Sequence, residues 1–151
     1  LLPEPERELY ISGDAFAKEW IKKVRNDVLD APILVTPGGL FHYFEEHKVI
    51  ALLRMIGQFG NMEVVFDTVN KRGMTMMKKK YMKQVGHADA QMFFYVDSAE
   101  ELAAKIGGNV KVIAEKPYYR YIPKNGLKLS TKVSMTVSDQ FKMVKMIHLK
   151  L

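Results

Sequence analysis

The spacing of apolar and polar residues changes period several times along the chain, and each change marks an element. Leu9-Tyr10-Ile11-Ser12 is a short apolar run that reads as the end of a strand, broken by Gly13-Asp14. Phe16, Trp20, Ile21, Val24 and Val28 then fall at helical spacing, with Lys18, Glu19, Lys22 and Lys23 between them. Ser12 or Asp14 is the candidate N-cap of that helix. After Asp30-Ala31-Pro32 comes Ile33-Leu34-Val35-Thr36, an unbroken apolar and β-branched run. Such a run suits a strand buried on both faces of a parallel sheet. Val49, Leu52, Leu53 and Ile56 place a second helix after it, stopped by Gly57 and Gly60.

Val64-Val65-Phe66 reads as the next buried strand, closed by Asp67. Met74, Met77, Tyr81 and Val85 then recur at helical spacing opposite a lysine-rich face. Gly86-His87-Ala88-Asp89 reads as a loop. Ser98-Ala99-Glu100-Glu101 is a capping box that opens a short helix, ended by Gly107-Gly108. Val110 to Ala114 is a further strand. Pro117 and Pro123 flank Tyr118-Tyr119-Arg120-Tyr121, and two extended runs follow with no helix expected between them. The last, Phe141 to Leu151, reads as a strand. Strand–helix alternation implies an α/β sheet with crossover helices. The closing two strands, lacking a crossover helix, are expected to pair antiparallel or to part company.

Composition narrows the class. At 151 residues with 48% hydrophobic and 26% charged content, the chain has the material for one cored domain. There is no cysteine, which excludes a disulfide framework, a thiolate zinc site and a cysteine nucleophile. No apolar run approaches the ~20 residues of a membrane span, so no membrane partner is expected. The N-terminus has no signal-peptide layout, and a cytoplasmic setting is the default. The formal net charge of +6 is partly clustered in Lys71-Arg72 and Lys78-Lys79-Lys80. That cluster fits the solvated face of an amphipathic helix better than a nucleic-acid patch. No zinc-finger, RRM or KH signature accompanies it.

The turn Pro37-Gly38-Gly39 separates the strand at Ile33 from the helix after it. Ligands of open α/β sheets sit beyond the carboxyl ends of strands, and glycine allows backbone to approach them closely. A tight strand-to-helix turn without a ligand is the plainer reading of the same residues. His42, in the turn, and His87, in the loop with Asp89 as orienter, are candidate bases; ordinary loop histidines are the alternative. Phe41 and Tyr43 are candidates for packing on a ligand or simply for the core. Tyr119 is a candidate for an acceptor pocket, with sheet-face packing as the alternative. On a strand, Tyr119 and Tyr121 would share one face. His148, between Ile147 and Leu149, reads as structural. His42 and His47 diverge by roughly 140° on a helix, so no metal site is expected there.

The stretch ILVTPGGLFHYFEEHKVIALL resembles the segment around the fourth strand of S-adenosylmethionine-dependent methyltransferases of the leucine carboxyl methyltransferase and polyketide O-methyltransferase family. Gly39, Leu40, Phe41, Tyr43 and Phe44 match that family's turn, and Gly38 stands where it often has Glu. YISGDAFAKEWIKKV resembles the family's third strand end and the helix after it. MEVVFDTVN resembles the fifth strand, and VKVIAEKPYY and FKMVKMIHLKL the antiparallel sixth and seventh. The resemblance implies a Rossmann-like class I methyltransferase sheet, order 3-2-1-4-5-7-6, contributing strands three to seven. Strands one and two are missing. It implies an O-methyltransferase that uses S-adenosylmethionine and a small-molecule hydroxyl or carboxyl acceptor. It places Asp14 on the adenine amino group, Ala15 beside the ring, and Pro37, Gly38, Gly39 and Tyr43 around the cofactor. The family's glycine-rich first loop and acidic second-strand end are absent. Residues 1–151 are therefore expected to be the C-terminal part of one domain, inactive alone, with the remainder supplied by a missing segment or a second chain. A nucleic-acid-binding module and a non-catalytic fragment that completes a partner's sheet are the competing expectations.

Overall fold

A computed structural model describes residues 8–81 and 91–151. The elements run α1 (Glu19–Val28), β1 (Ile33–Val35), a 3₁₀ turn (Phe41–Tyr43), α2 (Glu46–Gly57), β2 (Met62–Val69), α3 (Lys71–Met76), a π-helical turn (Met77–Tyr81), α4 (Ala99–Ile106), β3 (Lys111–Pro117), α5 (Leu129–Gln140) and β4 (Val144–Lys150). The sheet order is β1-β2-β4-β3. β1 and β2 are parallel, and β4 is antiparallel to both β2 and β3. This is the 4-5-7-6 part of the expected Rossmann-like order, antiparallel ending included. The carboxyl ends of β1, β2 and β3 thus share one edge of the sheet with the amino end of β4.

One face of the sheet carries the main core. β2 alternates, burying Met62, Val64, Phe66 and Thr68, and β4 answers with Ile147 and Leu149 opposite Phe66 and Val64. α2 lays Val49, Leu52, Leu53 and Ile56 on this face, the four positions its periodicity predicts. α4 adds Ala99, Leu102 and Ile106. Arg54 of α2 holds the end of α4, its Nε and Nη2 donating to Ile106 O and Lys105 O, each at 2.7 Å. Phe41, Phe66 and Phe94 pack together, with ring centroids 5.1 Å and 6.0 Å from Phe41. Such tilted and edge-on pairs add to the burial of the rings.

The structure changes several expectations. Leu9 to Ser12 is not a strand. Only strand two would neighbour it in the full sheet order, and no such strand exists among the described residues. β1 is three residues long and not buried on both faces: Leu34 is 57% exposed, because β1 has one ladder neighbour among the described residues and an open second face. β2 does not close at Asp67 but continues to Val69, since Asp67 pairs with Met146 and Val69 with Val144.

A helix, α5, does lie between the last two strands. Its sequence, LSTKVSMTVSDQ, hides it from periodicity: Ser, Thr and Val weaken helix propensity, and only Met135 and Ser138 are buried. Tyr118 to Tyr121 form a turn rather than a strand, so their alternation does not apply, and Tyr121 is exposed. α1 starts at Glu19 with no side-chain cap; Asp14 instead accepts from Phe16 N at 2.9 Å in a local turn. Ser98 does cap α4, accepting from Glu101 N at 3.4 Å, while the neighbouring Glu100 contacts the Ser98 hydroxyl. The lysine-rich helix is described as far as Tyr81; Val85, His87 and Asp89 lie outside the described residues.

Candidate functional site

The turn after β1 is held by a carboxylate from the neighbouring strand. Gly39 has φ +63, a left-handed conformation that glycine adopts without a Cβ penalty. This turns its N–H toward β2, where it donates to Asp67 Oδ1 at 2.6 Å. The other carboxylate oxygen, Oδ2, lies 3.3 Å from His42 Nε2. His42 is only 6% exposed, and its carbonyl accepts from Phe93 N at 2.8 Å. The other ring nitrogen, Nδ1, is buried with no hydrogen-bond partner among the described residues. The hydrogen bond from His42, more than that from Gly39 N, holds the Asp67 carboxyl below its ordinary value, against the opposing effect of burial.

Beside this clasp an apolar cleft of about 290 Å³ opens at the carboxyl end of β1. Gly13, Ala15 and Trp20 form one wall, and Pro37, Leu40 and Phe41 the other. The two walls come from segments some twenty residues apart in sequence. Trp20 Nε1 donates to Ala15 O at 2.9 Å and braces the first wall. Asp14 is exposed next to that wall, and its Oδ2 has no hydrogen-bond partner among the described residues. A flat apolar ring with a donor at its edge fits such a slot.

The predicted site residues divide into groups. Ala15 and Pro37 line the cleft, Asp14 adjoins it, and Gly39 is tied to Asp67. Gly38 is exposed with open space around its Cα. Tyr43 is half exposed and is not part of the cleft lining. Phe41 belongs both to the core and to the cleft floor. Tyr119 lies elsewhere, in a groove beside α5. His87 lies outside the described residues. His148 sits on the open sheet face, 2.7 Å from Glu63 Oε2. Sequence reading missed the site role of Asp67. Its signal was present, an acid interrupting VVF and TV, but nothing local ties it to a glycine 28 residues earlier. Among the described residues there is no cluster of three or more metal-ligating side chains, and no helix long and apolar enough to cross a membrane.

No protein-family model matches the chain, and no curated protein matches it. Solved structures do. A duf574 family protein from Streptomyces avermitilis aligns with a TM-score of 0.61 at 10% identity, over 93% of this chain and 54% of its own. The O-methyltransferase NcsB1 from neocarzinostatin biosynthesis, solved with S-adenosylmethionine and 2-hydroxy-5-methyl naphthoic acid, aligns at 0.47 and 13% identity, over 93% of this chain and 32% of its own. A SAM-dependent methyltransferase from Anabaena variabilis aligns at 0.48 and 12% identity, over 91% of this chain and 56% of its own. The first likeness establishes a shared fold; the two lower scores carry no argument. The chain spans about half the length of the duf574 family protein that it matches.

Proposed function

We propose that residues 1–151 are the C-terminal, acceptor-side part of one S-adenosylmethionine-dependent O-methyltransferase domain. The observation that carries this reading is the two-walled cleft at the carboxyl end of β1. It joins the Gly13–Ala15 turn to the Pro37–Leu40 turn, two segments singled out by the family resemblance. The cleft fits the adenine end of the cofactor: its walls are apolar, and Asp14 Oδ2 is free to accept from an exocyclic amine. Residues that would hold the ribose and methionine are expected on the missing strands. The open edge of β1, with Leu34 exposed, is where those strands would add.

Bound there, the cofactor supplies an electrophilic methyl group on a sulfonium sulfur. The chain's own part is to position the acceptor and take its proton. Asp67 holds His42 by Nε2–H, so Nδ1 is the atom that takes the proton of an acceptor hydroxyl as its oxygen bonds to the methyl carbon. Nδ1 is shut off from solvent in this structure, so the role requires the turn around it to open for the acceptor. His87 is the second candidate base of this reading.

Calorimetric titration with S-adenosylmethionine tests the proposal, on this chain and on this chain joined to a segment that supplies strands one and two. Binding is expected only in the joined protein. Absence of binding in both would reject the reading and bring forward a fragment that completes a partner's sheet.

A further inference from the structure

A second and larger hollow lies on the same edge of the sheet, between α3 with its π-helical turn and α5. Its volume is about 750 Å³, within the ~300–1,000 Å³ range of small-molecule sites. Met76, Met77, Met135 and Met143 line it from three segments, and unbranched thioethers adapt to irregular apolar shapes. Gly73 makes room at its floor, where backbone packs directly on Met143 O. Among the described residues that line it, none carries a charged side chain.

Five hydroxyls stand in this lining, those of Tyr119, Ser130, Thr131, Ser134 and Ser138, and two of them bear on the ligand. Ser138 is 7% exposed, and its Oγ is buried without a partner among the described residues. An unpartnered buried hydroxyl is destabilising, and a ligand oxygen lodged against it would recover that loss. Tyr119 is half buried, and burial pushes its hydroxyl above the ordinary value of 10.0, so at neutral pH it is a neutral donor. Its backbone N–H donates to Asp139 Oδ1 at 3.0 Å, which fixes a carboxylate next to the hollow. An anionic ligand would lose its hydration and meet no cation among the described lining residues.

We infer that this hollow is the acceptor pocket, and that it takes a neutral, largely apolar molecule bearing a hydroxyl rather than a carboxylate. The inference rests on the methyltransferase reading for the word acceptor, and on the hollow alone for the ligand's chemistry.

The test is a titration of the full 151-residue chain, ¹³C-labelled at the methionine methyls, at pH 7. The matched probes are biphenyl-4-ol and biphenyl-4-carboxylate. Biphenyl-4-ol is expected to shift the Met135 and Met143 methyls, leave Met62 in the main core unmoved, and bind at least about tenfold more tightly than the carboxylate. Ser138→Ala is expected to weaken it roughly three- to tenfold. Ser134→Phe, on an exposed position of α5 at the rim, should block it, with an unshifted Met62 methyl reporting an intact fold; Thr131→Phe serves where that signal is lost. No shift, equal or tighter binding of the carboxylate, or full binding to a rim variant with an intact Met62 signal would overturn the inference. Selective biphenyl-4-ol binding alongside failed cofactor binding in the joined protein would leave the neutral-ligand site standing and reject only the methyltransferase reading.

Discussion

Asp67 and His42 lie 25 residues apart in sequence, and their side chains meet at 3.3 Å across the end of β2. Because Asp67 also takes Gly39 N, one carboxylate clamps both the start and the middle of the turn that closes the cleft. Replacing it by Asn leaves one acceptor for Gly39 but removes the charge that assists both bonds. Asp67→Asn is expected to cost about 1–3 kcal/mol in urea unfolding. The sign with pH follows from the lowered carboxyl pKa: the contribution is present above the ordinary value of 3.8 and is lost as pH falls through the depressed folded value. Wild type and variant should therefore converge in acid.

Lys145 is 1% exposed, within the sheet, and its Nζ donates to Asp97 O at 2.8 Å and to Glu115 Oε1 at 3.1 Å. Glu115 in turn accepts from Ala99 N at the start of α4. Removing only this cation leaves a largely buried carboxylate with the more distant Lys142 Nζ, 4.0 Å from Oε1, in place of the close one. Lys145→Met is expected to lose roughly 3–5 kcal/mol, and Lys145→Met with Glu115→Gln to regain much of it. A double-mutant cycle by chemical denaturation, with Glu115→Gln alone as its fourth corner, reads both; a double variant whose loss equals the sum of the two single losses would show that the pair is not coupled.

Gly73 is required by contact rather than by turn geometry. A Cβ there would collide with Met143 O and lie 3.1 Å from Val69 Cβ. Since Met143 is backbone leading into β4, it cannot swing aside as a side chain would. Gly73→Ala is expected to destabilise by about 1–3 kcal/mol despite alanine's better helix propensity. Thermal unfolding checks it, and a stabilised variant would contradict the packing described.

Asp14 offers the cleft an exposed carboxylate oxygen while its Oδ1 closes the local turn. In the protein joined to strands one and two, Asp14→Ala is expected to weaken S-adenosylmethionine binding about tenfold, the worth of one hydrogen bond to a charged group. Asp14→Asn keeps the turn acceptor and should fall between wild type and Ala. Calorimetry on the three proteins decides; unchanged affinity in Asp14→Ala would remove this residue from the site.

Much of the architecture was legible in residue order. The face of α2, the cap at Ser98, the stop at Gly107 and the strands around Val64, Val112 and Ile147 each follow from spacing and local chemistry, which act over a few residues. α5 was not legible, because its Ser-, Thr- and Val-rich stretch has neither a clear apolar stripe nor strong propensity; it packs against β3 and β4 instead. The reach of β2 to Val69 was likewise set by its ladder with β4.

The same division holds at the site. Residue order alone determined that a rigid, glycine-containing turn follows β1, and that His42 and aromatic residues stand in it. Only the tertiary structure decided that Asp67 clasps that turn, that the Gly13–Ala15 segment supplies the facing wall, and that Tyr119 belongs to a separate hollow with Ser138. The physical reason is range. Turn conformation and helix phase are local properties, whereas a cleft wall or a buried ion partner is chosen by which distant segments the sheet order brings to one edge.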